Sequence, residues 1–268
     1  MLKDITLGQF FPGDSFIHRL DPRTKLLMVV VYIVALFMAK GWLAYGLVIA
    51  FLGLCIKISG IPLKSITRGM KPVLVVVILT GLLNLFFTPG VHEIFTIFGF
   101  TLTWEAVERA TQMILRIMLL ITGTFLLTYT TSPILLTDGL ESLMNPLKKI
   151  KVPVHELSMM MSIALRFIPT LIEETDKIIS AQKARGADFE SGKLMERVKA
   201  LVPILVPLFI SAFRRADELA TAMECRCYQG GEGRSKMKQM HYMKRDFCAY
   251  FVGVLLIAVT MTLRSFGL

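Results

Sequence analysis

Apolar residues in this chain come in long blocks, separated by short basic stretches. Leu26–Ile56 is apolar except at Lys40 and Gly41, and Val73–Phe87 carries no charge. Met113–Tyr129 contains only Arg116, and Phe247–Leu263 forms a last block. A helix needs about 20 predominantly apolar residues to cross a bilayer. At 31 residues the first block is either one tilted helix or a tight hairpin of two short spans, and charge decides between them. Both its flanks are basic, with Arg19, Arg23 and Lys25 before it and Lys57, Lys64, Arg68 and Lys71 after it. Basic loops stay in the cytoplasm, so both ends of the block belong on that side. It therefore divides into two spans that turn at Lys40–Gly41. Pro72 is expected to open the third span, with Pro89-Gly90 closing it, and the fourth lies near Met113–Tyr129. Residues 91–106 contain no Lys or Arg, as an outer loop should, and Phe95–Thr103 reads as a short extended segment.

The pattern changes after Tyr129. Thr131-Ser132-Pro133 is a helix start, with proline at the first helical position. Leu136, Leu140, Leu143 and Leu147 then recur on one face opposite Asp138 and Glu141, which predicts an amphipathic helix ending at Pro146. Two long helices are expected next, Val154–Arg185 and Val198–Tyr228, each apolar at first and then charged. At about 1.5 Å per residue, each would run from near the bilayer well out into the cytoplasm. Aligning Arg185 with Arg226 pairs Asp176 with Asp217 and Ala181 with Ala222. Each helix thus delivers an arginine at its tip between small neighbours, as Ala184-Arg185-Gly186 and Cys225-Arg226-Cys227. One such cation could simply satisfy terminal carbonyls. Two in matched settings point to docking, for which the planar guanidinium fork is suited.

The expected fold is thus an all-α polytopic membrane protein of about five transmembrane helices with an inserted coupling region of three helices. Residues 1–130 hold spans one to four, 131–240 the cytoplasmic coupling region and 241–268 the last span. The amino terminus is cytoplasmic and shows no cleavable leader pattern.

Composition agrees. The chain is 54% hydrophobic and 19% charged, with a mean hydropathy of +0.62, above the apolar share of soluble domains. The net charge of +10 would suggest nucleic acid in a soluble protein, but here the basic residues fill loops between apolar blocks. Cys55, Cys225, Cys227 and Cys248 have no disulfide-framework spacing and read as free thiols, and no metal set assembles around Cys225-x-Cys227. No phosphate loop, metalloprotease or hydrolase motif occurs. Glu173-Glu174 reads as a solvated face. Arg116, an intramembrane cation, is read as snorkelling or bonding a neighbouring helix. Met159-Met160-Met161 is either a packing surface or a sliding interface with an exchanging partner.

Several segments resemble the EcfT family, the transmembrane scaffold of energy-coupling factor (ECF) vitamin transporters. They are Gly13-Asp14-Ser15, His18–Lys25, Thr137–Glu141, Val152–Leu157, Ile163–Thr170 and Ala184–Asp188. The resemblance implies a non-catalytic bacterial cell-membrane subunit without a cofactor of its own, ATP and Mg residing on two partner ABC-type ATPases, EcfA and EcfA′. It implies that Ala184-Arg185-Gly186 and, by position, Cys225-Arg226-Cys227 dock on those ATPases. It also implies that a substrate-binding S component packs against the scaffold, here assigned to Leu136, Leu140, Leu143, Leu147 and Met159–Met161. Cys227 stands where the family's second motif has glycine, which argues against a glycine-type left-handed cap at that tip. The rival readings are a dedicated cobalt or nickel uptake scaffold and, from another class, a membrane-embedded enzyme using Arg116 or Arg166 on an anionic lipid.

Overall fold

The computed structural model describes residues 10–87, 93–97, 100–187, 189, 194–230 and 239–265. Pro89-Gly90, Asp188 and most of the basic stretch after Gly230 lie outside them. Eight α-helices form among the described residues: α1 (Pro22–Met38), α2 (Gly41–Ser59), α3 (Leu63–Phe87), α4 (Trp104–Thr130), α5 (Pro133–Met144), α6 (Val154–Ala184), α7 (Leu194–Cys225) and α8 (Lys244–Ser265). A short antiparallel hairpin, β1 (Glu93–Ile97) with β2 (Phe100–Thr103), precedes α4. It falls where the aromatic and β-branched run predicts extended chain.

By length and composition, four helices can cross a membrane: α2, α3, α4 and α8. α1 is equally apolar but has 17 residues. The break at Lys40–Gly41 divides the first block as expected, and Gly41 takes a left-handed φ of 79° there. Two starts differ from expectation. Pro72 sits inside α3, which begins at Leu63. Proline removes the N–H that would reach the carbonyl of Arg68, and Arg68 is an exposed residue in the second turn of the helix. α4 begins nine residues before Met113 because Thr103 caps it, its hydroxyl accepting from the N–H of Ala106 at 3.4 Å.

The chain divides into two compact units. Among the described residues, the first comprises 10–140 with 240–265, and the second 141–239. In the first, α1 packs on α2, α4 and α8, while α4 also packs on α2 and α3. Tyr32, Ala35, Leu36, Tyr45, Val48, Leu119 and Leu256 make the core. The outward faces remain apolar, with Val75, Phe87 and Phe251 each about 70% exposed (72%, 71% and 69%), as lipid-facing helices require. Arg116 bonds a neighbouring helix, its Nε donating to the hydroxyl of Tyr45 at 3.1 Å, with the guanidinium 5.8 Å from the Phe37 ring.

At one end of this unit the buried Lys25 ammonium donates to the carbonyl of His18 (3.0 Å), the carbonyl of Thr130 (2.9 Å) and the hydroxyl of Thr131 (3.2 Å). The carboxylate of Asp246, 1% exposed, accepts from the N–H of Asp21 at 2.9 Å and from that of Met243 at 2.8 Å. Asp21 in turn caps α1 by accepting from the N–H of Arg23. Gly139 of α5 lies so close to Pro22 that a Cβ would sit 3.0 Å from the proline ring.

α4 meets α1 just as closely at Gly123. A Cβ there would fall 2.4 Å from the ring of Tyr32, whose hydroxyl is bonded to the carbonyl of Leu119. Gly123→Ala should therefore cost about 1–3 kcal/mol by overpacking. A thermal unfolding scan of the purified protein in mild detergent should show a lower midpoint for this variant, and an unchanged midpoint would contradict the packing described.

Candidate functional site

Both sequence-predicted tips lie in the second unit, and both end the same way. α6 stops at Ala184 with Arg185 as its cap. Gly186 takes φ +87°, its N–H donates to the carbonyl of Lys183 (3.0 Å), and the N–H of Ala187 reaches back to Gln182 (3.0 Å). This pair of reversed hydrogen bonds defines a Schellman cap. α7 stops at Cys225 with Arg226 in the equivalent place. The N–H of Cys227 donates to Glu224 (2.8 Å) and that of Tyr228 to Met223 (3.1 Å). Cys227 takes φ +54°, so the left-handed cap forms without glycine, contrary to the sequence expectation. The two reversed bonds satisfy carbonyls that the helix end would otherwise leave open, and they outweigh the steric cost of a Cβ in that region. Ala184, Arg185, Gly186, Cys225, Arg226 and Cys227 are all exposed. The four cysteines are free thiols.

The tips do not project side by side, as two prongs leaving the bilayer together would. α6 and α7 are antiparallel. Gln182 near the end of α6 reaches the carbonyl of Pro203 near the start of α7, with Nε2 donating at 3.4 Å. That carbonyl lacks its helical donor because Pro207 has no N–H. Midway, Glu174 accepts from the hydroxyl of Ser211 and from Nη2 of Arg215 at 3.0 Å. Glu174 is thus a brace between helices, which corrects its reading as part of a solvated face. Arg185 lies eleven residues beyond Glu174, and Arg226 eleven beyond Arg215. Each arginine therefore stands about 16 Å from the brace, in opposite directions along the pair.

The α7 tip differs from the α6 tip in its surroundings. It borders an open cleft of about 650 Å³, where His155, Met159 and Arg166 of α6 face Met223, Arg226 and Tyr228. Behind it, Glu141 pairs with Nδ1 of His155 (3.1 Å) and accepts from the hydroxyl of Ser158 (2.8 Å). Glu141 is therefore tied to α6 and does not form a free polar face on α5. Of the residues assigned to the S component, Met160 and Met161 are exposed while Met159 turns into the cleft. Leu136 and Leu143 are half-buried and Leu140 is 37% exposed on α5. Leu147 falls instead in a 3-10 turn, Asn145–Ile150, because Pro146 ends the α-helical geometry.

Relatives match this chain in sequence along nearly its whole length. The family described as CbiQ, cobalt transport protein, matches residues 13–238. The energy-coupling factor transporter transmembrane protein EcfT of Clostridium kluyveri is 52% identical over 265 residues, covering 98% of each chain. That of Thermosediminibacter oceani is 51% identical over 265 residues, covering 99% of each. The EcfT of Bacillus subtilis is 46% identical over 265 residues, covering 99% of this chain and all of its own. The chain belongs to the EcfT family. It is a T component of ECF transporters, a multi-pass membrane subunit that is not an enzyme and carries no cofactor. This sets aside the lipid-modifying reading, whose anion-binding candidate Arg116 is engaged by Tyr45. Sequence reasoning about this EcfT chain missed Glu174, Ser211, Arg215 and the position of Arg166. One signal was present: the register that aligns Arg185 with Arg226 also sets Glu174 against Arg215, two opposite charges.

Two outcomes follow from the caps and the brace. Cys227→Gly removes the left-handed strain and should raise the stability of the α7 end by about 0.5–1 kcal/mol, seen as slower hydrogen exchange at Arg226–Tyr228. The Ser211 hydroxyl and then Arg215 hold the Glu174 carboxyl below its usual value of 4.5. Its contribution is therefore present above that value and is lost as pH falls through the lowered one. Unfolding followed from pH 6 to pH 3 should show the wild type losing an acid-sensitive component that Glu174→Gln lacks; identical pH profiles would contradict the brace.

Proposed function

We propose that this chain couples ATP hydrolysis by two cytoplasmic ABC-type ATPases, of the EcfA and EcfA′ kind, to vitamin uptake through interchangeable S components. Arg185 docks on one ATPase and Arg226 on the other, each with its flanking pair, Ala184 and Gly186 or Cys225 and Cys227. ATP and Mg are held by those partners. The single observation that carries this reading is the matched pair of capped, exposed arginines at opposite ends of one braced antiparallel pair. Two contact points set apart in this way suit two separate partner subunits better than one. Leu136, Leu140, Leu143, Leu147 and Met159–Met161 form the surface offered to the S component. Methionine's flexible, polarizable side chain suits a contact that must exchange.

The membrane arrangement belongs to the same proposal. α1 is a fifth span: its 17 residues give about 26 Å against a hydrocarbon core of about 30 Å, and basic flanks extend its reach. The amino terminus and residues 131–240 face the cytoplasm of a bacterial cell, because the basic residues gather there.

A second reading, a scaffold dedicated to cobalt or nickel uptake, is favoured by the description of the matching family as a cobalt transport protein. Purification of the tagged chain from its native membrane in gentle detergent separates the two. The shared scaffold should bring two ATPases with a mixture of small apolar membrane proteins, and the dedicated one a single fixed partner. In the same preparation, Arg185→Ala or Arg226→Ala should each weaken ATPase docking by about 2–4 kcal/mol, as an interface hot spot does. Wild-type ATPase recovery with both variants would refute the docking assignment.

A further inference from the structure

The two tips share a cap but not a setting, and the difference lies in Arg166. It lines, from α6, the same cleft of about 650 Å³ that Arg226 lines from the end of α7. Among the described residues, no carboxylate lines the cleft with them. The side chains of Arg166 and Arg226 have no ion-pair or hydrogen-bond partner among the described residues, whereas that of Arg215 on the same helix pair is matched by Glu174. The cleft holds one more unmet group, the Nε2 of His155, buried without a partner. Met159 and Met223 supply an apolar floor. Two cations that line one cleft, with no counter-charge among the described residues, favour an anionic occupant. The apolar floor and the size of the opening fit a stretch of polypeptide better than a small free anion.

We propose that the cleft receives an acidic segment of the ATPase docked at the α7 tip. Carboxylates of that segment bind Arg166 and Arg226 together, and a neighbouring apolar side chain rests on Met159 and Met223. Arg166 is thus a docking residue of the α7 tip, and Arg185 of the α6 tip is not among the described residues that line this cleft. This rests on the docking reading above and adds to it a residue from a different helix, the partner's chemistry and an asymmetry between the tips.

The test uses the assembled complex in membranes, with one reporter thiol at a time. Cys227 reports on the α7 tip once Cys55, Cys225 and Cys248 are replaced by serine. Ala184→Cys, with all four native cysteines replaced, reports on the α6 tip. A short thiol-reactive photocrosslinker then measures contact with ATPase at each position. Arg166→Ala should lower the cross-link from position 227 by at least about tenfold, the scale of a lost charge-assisted hydrogen bond, and leave that from position 184 unchanged. Arg166→Lys, which keeps the charge and the stem but not the planar fork, should give an intermediate yield. The proposal is overturned if Arg166→Ala leaves the yield at 227 intact, or if both Arg166 variants lower the yields at 227 and 184 alike. The absence of a cross-link from either position in the otherwise wild-type complex would instead refute the docking reading, and this proposal with it.

Discussion

The buried ammonium of Lys25 sets the terms for the first unit. A charge removed from water must find its full complement of acceptors within the protein. Lys25 has three donors and exactly that many acceptors available, contributed by the loop at His18 and by the last turn of α4. The start of α1 and the end of α4 are therefore held at one level, and the chain leaves α4 for α5 at Thr131 directly from that junction. Asp246 brings the start of α8 to the same place through the N–H of Asp21. Further along the bundle, small residues such as Gly123 and Gly253 let helices approach closely, while the outward faces are left to lipid.

Much of this unit was legible in the sequence because a bilayer imposes a simple length rule on apolar runs. The break at Lys40–Gly41 was readable from charge on both flanks. The start of α3 was not, because proline is most at home in the first turn of a helix, whereas Pro72 lies inside α3. In the second unit the tips themselves were readable as Ala-Arg-Gly and Cys-Arg-Cys. Their relative direction was not, since the periodicity of one helix carries no information about the orientation of the next. The side-chain contacts from Glu174 to Ser211 and Arg215, and from Gln182 to Pro203, supply it.

Cys227 marks the limit of reading backbone shape from residue type. Glycine is the usual occupant of a left-handed cap, yet hydrogen bonding alone imposes the same geometry at both tips. The departure from Ala-Arg-Gly changes the chemistry beside the arginine, adding two exposed thiols, without altering how the helix presents it. The larger distinction between the tips lies in what surrounds them, because the antiparallel arrangement returns the α7 tip to the first turns of α6, alongside Met159 and Arg166.

The brace at Glu174 lies midway between the two arginines. Because the pair is fastened there and again at Gln182–Pro203, its length works as a spacer: the distance between the two arginines is set by the helices themselves, about 16 Å to either side of the brace.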